Sequence, residues 1–453
     1  MRLRRKESQK TSGALRHNMT QEVKFLDIEE KFNCLASPGI RPGLARLAKL
    51  LSLLGNPERK FPAVHIVGTN GKGSTAAAIT SIFRESGYRT SLYTSPHLVS
   101  FGERLRINNT EAPVQDWYNA LNAIESAIKN CPYLLNNVPT YFELVTAAAF
   151  KIISDGNVDI AVIEAGLGGR LDATNILKNV VLTLITPIGI DHSEYLGDSV
   201  ESVAAEKFAV MRKDTPAIFA GGEENVEALF FEMAFKKSAK AQILRRLCSH
   251  ETTNVTPKGT DFYLEYECRH TDYHTPLIGR HQADNAALAI AGACALRSLF
   301  PNIDSSSLYS GIIKTEWAGR LELVSETPMI FFDGAHNPHA MKRLTETLSL
   351  ISKNGTVSVV LAMMKDKDIA NTLLLLKQID PIIYCTEIPG MDRCMKADEL
   401  YSLAKAAELR VRERQSDPIQ ALQSAASHGE IVVCCGSLFL VGYMKSKQWG
   451  RVK

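Results

Sequence analysis

His65-Ile66-Val67-Gly68-Thr69-Asn70-Gly71-Lys72-Gly73-Ser74-Thr75 decides how the rest of this chain is read. An apolar run meets a glycine-rich turn, then a lysine, then hydroxyls that open a helical stretch. That order builds a cradle for phosphate. Glycines let backbone N–H groups approach phosphate oxygens, the helix N-terminus adds partial positive charge, and Lys72 adds a full one. The stretch predicts binding of a nucleoside triphosphate through Gly68, Thr69, Asn70, Gly71, Lys72, Gly73 and Ser74. Its spelling departs from the common phosphate loop, which has a glycine five residues before the Gly-Lys pair and Ser or Thr straight after the lysine. Here Ile66 holds the first of those places and Gly73 the second.

Outward from the loop, strands and helices alternate. Val64–Val67 reads as a strand and Gly73–Ser86 as a helix. Thr90–Tyr93 is a strand, Val114–Lys129 an amphipathic helix and Phe142–Ile153 an apolar helix. Asp159–Glu164 and Val180–Thr186 are short runs rich in Val and Ile, the pattern of strands buried on both faces of a parallel sheet. The alternation predicts an α/β fold with a parallel-rich sheet. Thr260–Cys268 instead alternates apolar and polar residues, so Val255–Thr275 is expected to be a small antiparallel insertion before a helix at Ala283–Ser298. A second, Rossmann-like α/β unit follows near Trp317. Its strands are Met329–Phe332, Val357–Leu361, Ile382–Cys385 and Glu430–Cys434, with helices near 338–352, 367–379, 396–407 and 417–427.

The bulk properties set limits. The chain has 453 residues, long for one domain. It is 45% hydrophobic and 22% charged, ordinary for a globular protein. A net charge of +3 implies no polyanion partner, so nucleic acid is not expected. No apolar run approaches the roughly 20 residues that span a bilayer. The nine cysteines are scattered without a CxxC pair, which argues against a zinc site or a disulfide scaffold and for reduced thiols in a cytoplasmic protein. Met1–Asn18 is basic and lacks an apolar core. It is not a secretory signal; its scarcity of acids leaves an organellar presequence open, and it reads first as a disordered tail or as sequence ahead of a true start at Met19.

Several short motifs follow the loop in order: Thr94-Ser95-Pro96-His97-Leu98, Tyr141-Phe142-Glu143, Glu164 to Asn175 (Glu-Ala-Gly-Leu-Gly-Gly-Arg-Leu-Asp-Ala-Thr-Asn), Ile190-Asp191-His192, Glu206-Lys207, Gly319-Arg320, and Asp333-Gly334-Ala335-His336-Asn337-Pro338-His339. Each is weak alone. Together, behind that loop, they resemble the Mur ligase superfamily, most closely its folylpolyglutamate synthase and dihydrofolate synthase branch, from about Ile40 to Gly442.

The resemblance implies an ATP-dependent ligase with an N-terminal ATPase domain, residues 19–312, a C-terminal ligase domain, residues 313–453, and a hinge near 311–318. ATP would phosphorylate a substrate carboxylate, and the α-amine of L-glutamate would attack the acyl phosphate. Both steps gather negative charge, so catalysis is positioning plus neutralisation by lysine, backbone N–H groups and Mg²⁺. The resemblance assigns Ser95, Glu143 and His192 to one or two Mg²⁺ ions; hydroxyl and carboxylate oxygens suit that hard ion. It assigns Asn285, Arg320 and Asp333 to adenine, phosphate and ribose. Lys72, Glu164, Lys207 and His336 are the catalytic candidates, Lys207 matching a lysine carried as a carbamate in many members. Without the resemblance, Glu143 is a helix-surface acid, Lys207 a solvent-facing helix lysine and His336 a loop histidine.

The acceptor is the open question. Many bifunctional members carry an Ile-Asp-Leu-Gly-Leu type segment ahead of the loop, where this chain has Ile40-Arg41-Pro42-Gly43-Leu44. Arg41 is placed to face a folate carboxylate or pteridine, or to cap a helix. The expected substrates are L-glutamate with a folate, dihydropteroate or both, for a monomer with no membrane partner. A UDP-muropeptide ligase is the competing enzyme. It is disfavoured because only about sixty residues precede the loop and Mur enzymes usually place Thr after the lysine. A nucleotide-gated scaffold is the competing non-enzyme.

Overall fold

The computed structural model describes residues 25–190, 193–353 and 355–447. His192 and the basic tail Met1–Asn18 lie outside the described residues. Two compact units divide the chain: residues 1–65 with 88–181, and residues 66–87 with 182–453.

Strands β1 (Ala63–Val67) and β6 (Val180–Ile185) each contribute to both units. Between them in sequence come β2 (Thr90–Tyr93), β3 (Leu105–Ile107), β4 (Thr110–Glu111) and β5 (Ile160–Glu164), and after them β7 (Pro216–Phe219) and β8 (Lys240–Ile243). In the first unit β2 pairs in parallel with β5, while β3 runs antiparallel to both β2 and β4. In the second unit β6, β7 and β8 pair in parallel. Every residue of β1, β2 and β5 is buried, as the unbroken apolar runs predict.

The core of the first unit follows from helical spacing. The helix Val114–Lys129 buries Trp117, Ala120, Leu121, Ile124 and Ile128, one stripe of a 3.6-residue repeat. Trp117 meets Phe101 edge-on with ring centroids 4.7 Å apart, an arrangement that favours the positive ring edge over the negative face. The helix Tyr141–Asp155 starts with a capping box, Thr140 and Glu143 each accepting the other's backbone N–H.

In the second unit the helix Lys72–Glu85 packs against Arg280–Ala295 and Ser305–Ile313. Three antiparallel strands, β9 (Cys248–Thr256), β10 (Gly259–Tyr266) and β11 (Arg269–Thr275), form the insertion. Its extent is larger than the expected Val255–Thr275, because polar β9 gives no periodic signal. The following helix starts at Arg280 rather than Ala283.

A six-stranded sheet completes this unit. Its strands are β12 (Glu322–Glu326), β13 (Met329–Phe332), β14 (Val357–Leu361), β15 (Ile382–Thr386), β16 (Arg410–Gln415) and β17 (Ile431–Cys435). They lie in the order β12-β13-β17-β14-β15-β16, parallel except for the β12–β13 hairpin. All nine cysteines are free thiols.

Candidate active site

The phosphate loop is fastened before it turns. Thr186 N at the end of β6 donates to Val67 O at 2.8 Å, and Thr69 N donates to Pro187 O at 3.0 Å. The Thr69 hydroxyl donates to Gly189 O at 2.8 Å and accepts from Gly189 N at 3.0 Å. Gly71 then takes φ +88°, and a Cβ there would strike the amide oxygen of Asn285. Gly73 has a different reason. A Cβ on it would lie 2.6–2.7 Å from the Trp317 indole. The indole fills the space that a Ser or Thr after the lysine would need, which explains the unusual spelling.

Two lysines converge on one carbonyl. Lys72 Nζ donates to Gly68 O and Thr69 O, each at 3.0 Å. Lys207 Nζ donates to Gly68 O at 2.8 Å. Lys207 is 4% exposed, so it is not the solvent-facing helix lysine of the plain reading. Burial of an ammonium calls for hydrogen-bonded partners, and the loop carbonyl is one.

Asn285 is buried, its amide donating to Gln282 Oε1 at 3.0 Å. Asp333 accepts Leu321 N on one oxygen and Ala335 N on the other, both at 2.7 Å. Shielding from water raises its carboxyl above the ordinary aspartate value, with Arg320 pulling it back. The His336 ring nitrogen Nδ1 lies 2.8 Å from Gly334 O, so Nδ1 carries the proton. Asn70 of the loop meets the same segment: its Nδ2 lies 2.8 Å from His339 Nδ1. Phosphate loop, Lys207, Asn285, Arg320, Asp333 and His336 thus all belong to the second unit.

The first unit carries the other candidates. Glu143 is 4% exposed, not a surface acid. Its Oε2 accepts Thr140 N at 2.8 Å and Arg46 Nε at 3.2 Å. Its Oε1 is buried with no hydrogen-bond partner among the described residues. Glu164 is buried at the end of β5. Asp172 accepts Leu167 N at 2.7 Å and Thr174 N at 2.9 Å, together with the Thr174 hydroxyl. It thereby ties down the glycine-rich loop, and burial raises its carboxyl pKa. Part of the demand for Gly166 is packing, since a Cβ there would lie 2.6 Å from the Phe142 ring.

Beyond Ser95, Glu103 collects Leu98 N, Val99 N and Ser100 N at 2.7–2.9 Å and folds that loop around its carboxylate. His97 Nδ1 accepts Arg104 Nε at 2.9 Å. Burial, then Arg104, lowers the pKa of His97. Arg41 Nη1 lies 3.5 Å from Val138 O, and the adjoining helix Ala45–Leu53 has no side-chain cap. Among the described residues no three His, Cys, Asp or Glu gather to hold a metal.

A Mur ligase middle-domain model matches residues 66–293, and a model of the Mur ligase glutamate ligase domain matches residues 319–438. The chain belongs to the Mur ligase family. Among relatives of this Mur ligase, a dihydrofolate synthase/folylpolyglutamate synthase of Bacillus subtilis is 34% identical, over 90% of this chain and 95% of that one. One from Escherichia coli is 33% identical, over 90% and 92%. The solved structure of E. coli FolC in complex with DHPP and ADP is similar at TM-score 0.83 and 30% identity, covering 95% of this chain and 98% of that one. Mycobacterium tuberculosis folylpolyglutamate synthase complexed with ADP is similar at TM-score 0.86 and 28% identity, covering 95% and 99%.

In this Mur ligase, three residues escaped sequence reasoning: Arg46 in the first unit, and Gln282 and Trp317 in the second. His339 stood in view as the second histidine of the Asp333–His339 motif, without a role. Trp317 had no periodic or motif signal, and only the odd Gly73 hinted at a bulky neighbour.

Proposed function

We propose that this chain is an ATP-dependent amide ligase that joins L-glutamate to folates, to dihydropteroate, or to both, through an acyl phosphate. The observation that carries the reading is the phosphate loop, held by Lys72 and Lys207 on Gly68 O, in one unit with Asn285, Arg320 and Asp333. Relatives named for both synthases support the choice of acceptor class, as does the similar structure bound to DHPP and ADP. They also point away from the muropeptide and scaffold readings.

The chemistry divides among these residues. Lys72 exchanges its two loop carbonyls for phosphate oxygens and neutralises charge that builds on the transferred phosphoryl group. Lys207 keeps the first loop carbonyl fixed while Lys72 moves off it. The Arg320 fork suits phosphate, and each Asp333 oxygen retains a lone pair for a ribose hydroxyl. Asn285, anchored by Gln282, is the base-side contact. His336, oriented by Gly334 O, and Glu164 complete the catalytic set proposed here. The carboxylate oxygen that ATP phosphorylates leaves with inorganic phosphate when the glutamate amine attacks, and the amine's proton is released.

The first unit fits a Mg²⁺ ion on one count. Glu143 Oε1 is a buried carboxylate oxygen lacking a donor, and that is costly unless a cation takes it. Glu143 and Ser95, both of the first unit, would hold the ion; His192, which the resemblance adds to them, lies outside the described residues. When bound, Mg²⁺ neutralises phosphoryl charge. L-Glutamate as co-substrate, a monomeric state and a cytoplasmic setting complete the proposal. Among the described residues no helix is long and apolar enough to cross a membrane.

The test is incorporation of ¹⁴C-glutamate by purified protein with ATP and Mg²⁺, offering dihydropteroate and tetrahydrofolate separately. Label with both acceptors means a bifunctional enzyme. Label with tetrahydrofolate alone assigns chain extension. Label with neither overturns the folate reading.

A further inference from the structure

The two oxygens of the Glu143 carboxylate are treated unequally. Thr140 N and Arg46 Nε both converge on Oε2, while Oε1 is buried and receives no donor among the described residues. A glutamate that serves only to cap a helix needs nothing beyond the Thr140 contact. Arg46 is the addition. It stands in the first turn of the helix Ala45–Leu53, and its side chain is 12% exposed. Its Nη2 donates to Arg41 O, so the guanidinium is held at both ends.

We infer that Arg46 is the positioning residue of Glu143: it occupies Oε2, fixes the rotation of the carboxylate and leaves Oε1 facing a divalent cation. The inference rests on the reading of Glu143 as a metal ligand. A carboxylate held by one donor can swing about its terminal torsion, which is broad and roughly two-fold. Two donors from different elements on a single oxygen remove that freedom. Outer partners of this kind tune metal sites by roughly 10–100-fold in affinity.

The geometry also says which property of Arg46 matters. Contact is made through Nε, three bonds out from Cβ, and the amide nitrogen of glutamine stands at the same distance along its side chain. Glutamine can therefore supply the directed donor without the charge. Lysine supplies the charge one atom further on, as a point without a fork. If orientation is the function, Arg46→Gln keeps what Arg46→Lys loses. If bare charge is the function, the order reverses. The role of Arg41 falls into place as well, because its backbone carbonyl rather than its side chain holds the guanidinium.

The experiment is titration of the full chain with Mn²⁺, read by the electron paramagnetic resonance signal of the free ion, beside thermal unfolding of each variant. Wild type, Glu143→Gln, Arg46→Ala, Arg46→Gln and Arg46→Lys are compared. Expected are a loss of Mn²⁺ binding in Glu143→Gln and a roughly tenfold weakening in Arg46→Ala and Arg46→Lys. Arg46→Gln should stay within about threefold of wild type. Binding unchanged in Arg46→Ala but lost in Glu143→Gln overturns the role of Arg46 and leaves the metal reading standing. Binding unchanged in Glu143→Gln overturns the metal reading itself, and Arg46 with it. Equal losses in Arg46→Gln and Arg46→Ala overturn orientation as the mechanism. Should Arg46→Ala fail to fold, the Gln-against-Lys order decides alone.

Discussion

Lys207 Nζ lies 2.8 Å from Gly68 O, the same carbonyl to which Lys72 Nζ donates at 3.0 Å. One carbonyl thus carries two ammonium groups, one from the loop and one from a helix more than a hundred residues further on. Their roles separate: Lys72 is free to exchange carbonyls for phosphate, whereas Lys207 is buried. Lys72→Ala should lower kcat for ligation by at least a hundredfold, which is about 3 kcal/mol of lost charge stabilisation. Lys207→Met, which keeps the stem, should also lose activity, and its unfolding midpoint should move because Gly68 O is left with Lys72 as its one remaining ammonium donor and loses it when Lys72 turns to phosphate. Single-turnover phosphate release beside calorimetry separates the two. Equal, purely catalytic effects would refute the division.

Gly73 and Trp317 make a reciprocal prediction. Gly73→Ser puts the usual hydroxyl after the lysine but places atoms where the indole already is. It should destabilise the chain by about 1–3 kcal/mol and weaken ATP binding. Adding Trp317→Ala should recover most of the stability. A double-mutant cycle in urea measures the coupling, and strict additivity would disprove the contact.

Asn70 and His339 supply a pH-dependent tie. Asn70 Nδ2 donates to His339 Nδ1 at 2.8 Å, which requires the neutral ring. Burial, with help from Arg343 and Lys342, lowers the pKa of His339, against Glu346. The stabilisation is therefore complete above the ordinary histidine range and is lost as pH falls through the lowered value. His339→Ala should raise KM for ATP about fivefold, the worth of roughly 1 kcal/mol, with little change in kcat. His339→Asn, which keeps an acceptor, should recover part of this. Steady-state kinetics at neutral pH provides the check.

His281 should dominate acid sensitivity of the second unit. Burial pushes its pKa down to about 4, with Asp284 opposing and Arg343, Arg320 and His339 assisting. The folded chain keeps His281 neutral where the unfolded chain protonates it. Stability is full above about pH 6.5, declines as pH falls below that, and levels off under about pH 4. The contribution is on the order of 3 kcal/mol. Urea unfolding between pH 7 and 4 should be flatter in His281→Gln than in wild type. Parallel curves would show that other groups carry the slope.

The sequence exposed what depends on periodicity. Thr90–Tyr93, Val114–Lys129, Met329–Phe332 and Val357–Leu361 are read to the residue, because buried strands and amphipathic helices write their environment into every position. β16 was missed for the converse reason. Arg-Val-Arg-Glu-Arg-Gln has one apolar residue, and it lies at the sheet edge, where charge protects against stray pairing. The hairpin of β3 and β4 was missed because it is too short to show alternation. At the site, residues that touch phosphate by backbone, such as the loop glycines, have a spelling of their own. Arg46 and Trp317 act by touching a residue far along the chain, and nothing in their local sequence records that partner. Gln282 meets Asn285 within one helix, an i,i+3 pair that is legible only once Asn285 is known to matter.

The Trp317 contact bears on how such chains are found. A search that demands a hydroxyl after the loop lysine treats Gly73 as a defect. Here an indole far along the chain stands 2.6–2.7 Å from a Cβ at Gly73, so a side chain straight after the lysine and a tryptophan at 317 exclude each other, and the loop can be judged only together with that distant position.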